Sequence, residues 1–159
     1  MLAVLLCGCG NAEESAPSAG GPEPVTETEA PAEPAEPEEE QMGELYLKIG
    51  EEPVEVRWEE NESVSFLKDY VKEEALSADL SMYGGFEQVG SLGVSVPRND
   101  VQTVTESGDI VLYSGNQIVI FYGSNSWSYT RLGHIENKSP SEMKELLGNG
   151  DVTVTLYTE

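Results

Sequence analysis

Few residues in this chain could do chemistry beyond its many acids. They are two cysteines, Cys7 and Cys9, a single histidine, His134, and three arginines, Arg57, Arg98 and Arg131. A histidine acts as a base when a nucleophile and an orienting acid stand beside it, and no nucleophile elbow accompanies His134. No His/Cys cluster, EF-hand loop or phosphate-binding glycine loop is present. Glu142 and Glu145 read as charges on a helix surface rather than as a paired acid and base. The sequence therefore predicts no catalytic set, no metal and no cofactor. Arginine offers a planar fork of donors suited to a carboxylate or a peptide carbonyl, which makes Arg131 a candidate binding group.

The cysteines carry a different chemistry. Separated by one residue, they make a poor structural disulfide, and no third cysteine exists to pair with either. The segment Leu6-Cys7-Gly8-Cys9 looks like a bacterial lipobox, in which small residues precede the cysteine that is acylated and becomes the new N-terminus. Cys9 fits that position better than Cys7, which follows bulky Leu6. A signal peptide needs a basic start and an apolar run of about 7–15 residues. Only eight residues precede Cys9, none of them charged, which predicts a true start upstream of Met1. No stretch reaches the ~20 apolar residues of a membrane span. Residues 1–9 are thus read as a signal-peptide remnant. The predicted location is the outer face of a bacterial cell membrane, held by lipid (palmitate among the acyl chains) on Cys9.

Residues 10–44 hold eleven glutamates and six of the nine prolines, with almost no large apolar residue. Such a segment cannot bury enough surface to offset its ordering entropy, so disorder is expected. A flexible chain of this length spans roughly 30–35 Å, and proline and like charges extend it further. It reads as a spacer. The formal charge of the whole chain is -22. From residue 45 onward there are 19 acids against 8 bases, a balance of -11. Phosphate binding needs clustered Lys and Arg, so nucleic acid is excluded as a partner, as is electrostatic docking on anionic lipid.

Residues 45–159 are long enough for one domain with a modest core. Leu45–Ile49 and Val54–Trp58 alternate with period two and read as a hairpin. Asn61 caps a helix whose stripe is Val64, Leu67 and Val71, widened by Phe66 and Tyr70. Asp79–Met82 reads as a short strand, Tyr83–Glu87 as a loop around two glycines, and Val94–Arg98 as extended. Ile110–Tyr113 and Ile118–Tyr122 form a second hairpin, the latter apolar enough to be buried on both sides. Trp127 falls on a loop and Ser128–Ile135 on a strand. Ser139-Pro140-Ser141-Glu142 is a capping box with proline at the first helical position. Met143, Leu146 and Leu147 form that helix's buried side, and Gly148 stops it. Asp151–Tyr157 closes the chain. About seven or eight strands with two helices and no βα alternation predict a mainly β fold, a closed or nearly closed barrel with helices over its openings.

Several of these segments in order carry a resemblance. Ser81-Met82-Tyr83-Gly84-Gly85 with Glu87, Gly108–Tyr113, Val119–Tyr122, Tyr129–Ile135 and Gly148–Val154 together resemble the bacterial cyclophilin-like domain family. The resemblance implies a cyclophilin-type barrel with two capping helices, found as lone domains and as lipoproteins. True cyclophilins are prolyl isomerases that place an arginine beside an apolar proline pocket. Here the isomerase Phe-His-Arg strand and its Gly-Gln-Gly-Gly-Asp-type stretch are missing. The candidate site joins Tyr83, Gly84, Gly85 and Glu87 to the strand bearing Tyr129, Arg131 and His134. On one reading Arg131 clamps a ligand between tyrosine walls. On the other it pairs internally with an acid such as Glu87, and the glycines only make a turn. His134 reads as a surface or locally bonded residue. The expectation is a monomeric, membrane-tethered domain that binds a peptide or small ligand without catalysis. The alternative is a divergent prolyl isomerase acting on exported proteins.

Overall fold

The computed structural model describes residues 43–159. The leader, including Cys7 and Cys9, and the spacer as far as residue 42 lie outside the described residues. The elements run β1 (Leu45–Ile49), β2 (Glu52–Val54), β3 (Val56–Trp58), α1 (Glu62–Tyr70), β4 (Leu76–Tyr83), β5 (Glu87–Ser91), β6 (Val101–Val104), β7 (Asp109–Tyr113), β8 (Gln117–Phe121), β9 (Ser126–Ile135), α2 (Pro140–Leu147) and β10 (Val152–Thr158). Nine strands follow the path β2-β1-β10-β4-β5-β8-β7-β9-β3, and β6 pairs with the first half of β9. The two ends of that path, β2 and β3, are separated in the chain by Glu55 alone. The sheet therefore curls until its ends meet, which makes a nearly closed barrel.

Alternation along the strands decides what lies inside. Leu45, Leu47 and Ile49 of β1, Val154 and Leu156 of β10, Ile110 and Leu112 of β7, and Ile118 and Ile120 of β8 fill the barrel. Helix α1 adds Val64 and Leu67, and α2 adds Met143 and Leu147 to the same cluster. Both helices start as the sequence predicts. The Asn61 side chain accepts from the Val64 N–H, and Ser139 and Glu142 form the reciprocal capping box. Phe66 and Tyr70 stack on each other at the edge of the α1 stripe, with Tyr70 exposed.

Three expectations need correction. The run Val54–Trp58 is not one strand: β2 pairs with β1, whereas β3 crosses to β9. Strand β4 begins at Leu76, three residues earlier than expected, and runs to Tyr83, while β5 begins at Glu87, both residues expected in a loop; β6 falls on a segment given no element, and Val94–Arg98 joins no strand. Trp127 belongs to β9 rather than to a loop. The strand count is accordingly ten.

Candidate functional site

The outer face of β5-β8-β7-β9 carries the candidate site. On β5, β7 and β8, and on β9 as far as Arg131, the odd-numbered residues point away from the core just described. Val111, Val119, Phe121 and Tyr129 bury one another there as a second apolar cluster, with Phe86 and Val89 packed against it. Strand β8 is thus buried on both faces, as its apolar run predicts. The edge of this cluster opens into a pocket of about 500 Å³ lined by Tyr83, Glu87, Val89, Tyr113, Gln117, Val119, Asn125, Trp127 and Tyr129.

Glu87 is the unusual member. It is only 5% exposed, and its Oε2 has no hydrogen-bond partner in the protein. Burial pushes its carboxyl up from 4.5 to about 7, because an apolar surround disfavours the charged form. Its neighbour Gln88 points the other way and donates from Nε2 to the carbonyls of Leu147 and Gly150, both at 2.7 Å. That pair of bonds fixes β5 and so holds Glu87 on the outer face. The turn before it works the same way. Gly84 and Gly85 both have positive φ, and a Cβ on Gly84 would lie 2.3 Å from the Phe86 ring. These glycines shape the turn and let Phe86 fold over it, and they do not line the pocket.

Tyr129 forms the pocket wall opposite. Its ring meets Tyr113 and Phe121 edge-on, with centroids 6.0 and 5.7 Å away. Its hydroxyl accepts from Asn125 Nδ2 at 2.9 Å. Burial first, then the Glu87 charge, raises the Tyr129 phenol. Asn125 is itself tied to buried Thr105, whose N–H donates to its carbonyl at 2.8 Å and whose Oγ1 accepts its N–H at 3.0 Å. Tyr83 and Trp127 form the outer rim, 65% and 57% exposed.

Arg131 and His134 lie on the same sheet face but in a different centre. The pairing of β7 with β9 slips between Ile110 and Val111, so that Ile110 faces Gly133 while Val111 faces Arg131. Leu132 is the extra residue of this bulge, which re-aims the side chains around it. Arg131 and His134, three apart, thereby both reach Asp109. Arg131 Nη1 and His134 Nδ1 each stand 2.8 Å from Asp109 Oδ1, and the Glu106 N–H donates to Oδ2 at 3.0 Å. Asp109 is 1% exposed, so this is a compensated buried carboxylate. Of the two readings open at Arg131, internal pairing holds, with Asp109 rather than Glu87 as the acid. His134 is locally bonded, as expected. Glu106, Asp109 and His134 bring ligand atoms within 4.8 Å of one another. A metal there would face the Arg131 guanidinium on the same oxygen, a positive charge that opposes it.

The structure therefore gathers Tyr83, Glu87 and Tyr129 from the expected site and sets Arg131 and His134 apart. Reading the sequence alone missed Asn125, Tyr113, Gln117, Val89 and Val119. Val89, Tyr113, Gln117 and Val119 share the odd-numbered outer face of β5, β7 and β8, and Asn125 stands in the loop before β9.

A family model described as the cyclophilin-like family matches residues 47–157. The chain belongs to the cyclophilin-like family. No curated protein matches it. The solution structure of a hypothetical protein from Archaeoglobus fulgidus has a similar fold, with a TM-score of 0.55 at 18% identity, covering 72% of this chain and 93% of that one. At such identity the likeness is one of fold alone. In this cyclophilin-like domain no arginine lines the pocket. Arg57 pairs with Glu136 and Arg98 with Asp100, so each of the three arginines is engaged by an acid.

Proposed function

We propose that this chain is a membrane-tethered, extracytoplasmic cyclophilin-like domain that binds a peptide or small ligand in the outer-face pocket without catalysing its conversion. One observation carries the binding reading: Glu87 Oε2, buried and unpartnered, at a pocket walled by aromatic rings. A polar atom buried without a partner costs about 1–3 kcal/mol, a cost that a ligand able to bond with it would remove. Concave, mostly aromatic sites with a few polar groups are the usual form of ligand sites. The non-catalytic part rests on the arginines. Prolyl isomerisation by the cyclophilin route needs an arginine at an apolar pocket, and the pocket lining lacks one.

The tether rests on the sequence. Leu6-Cys7-Gly8-Cys9 offers an acylation site at Cys9, and residues 10–44 supply the spacer. Among the described residues no helix is long and apolar enough to cross a membrane.

Amide shifts in a labelled sample, titrated with a mixture of aromatic fragments and short peptides, test the pocket. Movement should concentrate on Glu87, Asn125, Trp127 and Tyr129, and diffuse or absent movement would count against a site there. A prolyl isomerisation assay on several peptides should show no acceleration, and acceleration lost in Arg131→Ala or Arg98→Ala would replace this reading with the isomerase. Mass spectrometry of membrane-fraction protein should find an acylated Cys9 at the N-terminus. Unmodified Met1 in the soluble fraction would end the tether argument.

A further inference from the structure

The pocket holds one ionisable group with a low enough pKa to carry charge near neutrality, Glu87, and it is an acid. Beside it and the two valines, Val89 and Val119, the pocket is lined by polar and aromatic side chains from the surrounding elements. They are Tyr83 from the end of β4, Tyr113 from β7, Gln117 from β8, Asn125 from the loop before β9, and Trp127 and Tyr129 from β9 itself. No Lys, Arg or His and no second carboxyl is among them. Four of the six are aromatic with electron-rich faces, the surface that attracts a cation without hydrating it. The domain as a whole carries 19 acids against 8 bases, which raises the local concentration of positively charged solutes.

We infer that the pocket takes a small organic cation, a substituted ammonium held between the aromatic walls with its charge against the Glu87 carboxylate. This rests on the pocket being the ligand site, and it names the class of ligand. The alternative is a neutral ligand that accepts a hydrogen bond from protonated Glu87. It predicts the opposite response to pH, and that difference makes the inference testable. With the empty-site carboxyl at about 7, the proton and the cation compete for Glu87. Affinity for a cation that does not itself titrate should rise with pH. It should be about tenfold higher at pH 8 than at pH 6, because the site passes from about nine-tenths protonated to about nine-tenths ionised. A neutral acceptor would lose affinity over the same range.

The probes are choline and its uncharged carbon isostere 3,3-dimethylbutanol, titrated calorimetrically into the domain at matched ionic strength. We expect choline to saturate one site and to tighten about tenfold from pH 6 to pH 8, with the isostere bound at least about tenfold more weakly at pH 8. Glu87→Gln, which keeps the shape and removes the charge, should weaken choline about tenfold at pH 8 and abolish the pH response. Choline shifts confined to the pocket amides would place the site. The cation assignment is overturned if choline fails to bind, if both probes bind alike, or if affinity falls as pH rises. In each of those cases the ligand-site reading is still judged by the fragment titration, so the two fail separately. Should Glu87→Gln not fold, the wild-type pH profile and the probe pair decide the matter.

Discussion

Replacing Glu87 by glutamine tests the assignment of this carboxyl through stability alone, with no ligand present. In the folded domain burial holds the acid at about 7, and on unfolding it returns to 4.5. Between those values the native state binds a proton that the unfolded state has released, so stability falls as pH rises. The contribution is fully present below about pH 4.5 and exhausted above about pH 8. The gap, at about 1.4 kcal/mol per pH decade, amounts to ~3 kcal/mol lost across the window, or nearer ~2 kcal/mol if water at the pocket mouth screens the charge. Glutamine keeps the size of the protonated acid and cannot ionise. At pH 5 the two proteins should unfold within ~1 kcal/mol of each other, and at pH 8.5 the variant should be the more stable by ~2–3 kcal/mol. Urea midpoints measured from pH 5 to pH 8.5 read this directly. Taking the difference between the proteins cancels the other acids. Among them is Glu142, whose carboxyl is held low by the Ser139 side chain, first of all, and which gives a slope of the opposite sign in acid. Parallel curves for the two proteins would refute the reasoning, as would a variant less stable at pH 8.5.

Two further substitutions probe what positions the site. Asp109→Ala removes the shared acceptor of Arg131, His134 and the Glu106 N–H, and should cost about 3 kcal/mol in urea unfolding, with Asp109→Asn intermediate. A loss under about 1 kcal/mol would mean that the network is not structural. Gly90→Ala places a Cβ 2.3 Å from the Asp79 carbonyl oxygen, backbone that cannot yield cheaply. It should destabilise by more than about 3 kcal/mol or prevent folding, and an unchanged melting temperature would contradict the packing between β4 and β5.

How far the sequence was legible follows from what each segment must do. Helix α2 could be read to the residue because its signals are local: the Ser139 cap, Pro140, Glu142 and the stop at Gly148. Strands β7 and β8 could be read because apolar side chains on both faces leave no other assignment. Strand β5 could not. Its sequence Glu-Gln-Val-Gly-Ser has the composition of a loop, because Gln88 spends its buried position anchoring Leu147 and Gly150, and Glu87 is buried as an acid. Tyr83, Glu87 and Tyr129 were found as candidates. The rest of the pocket was not, since strands buried on both sides do not reveal which face holds a site. The grouping of Arg131 and His134 with Glu87 failed on the bulge at Leu132, a slip in pairing that leaves no mark in residue type.

That bulge also sharpens which acid matters. The outer face buries two carboxylates, Glu87 on β5 and Asp109 on β7, separated by Phe121, which pairs with Glu87 and lies between the two strands on β8. Both are almost fully buried, so both have lost water, and the protein treats them differently. Asp109 receives two charged or ring N–H donors and a backbone N–H, and nothing remains for a ligand to add. Glu87 keeps an oxygen without a partner, beside rings that could as easily have been packed against leucine. Replacing such an acid with an apolar residue of similar volume would ordinarily stabilise a fold. An acid that burdens the fold and receives no compensation within it is the observation on which the proposed binding role rests.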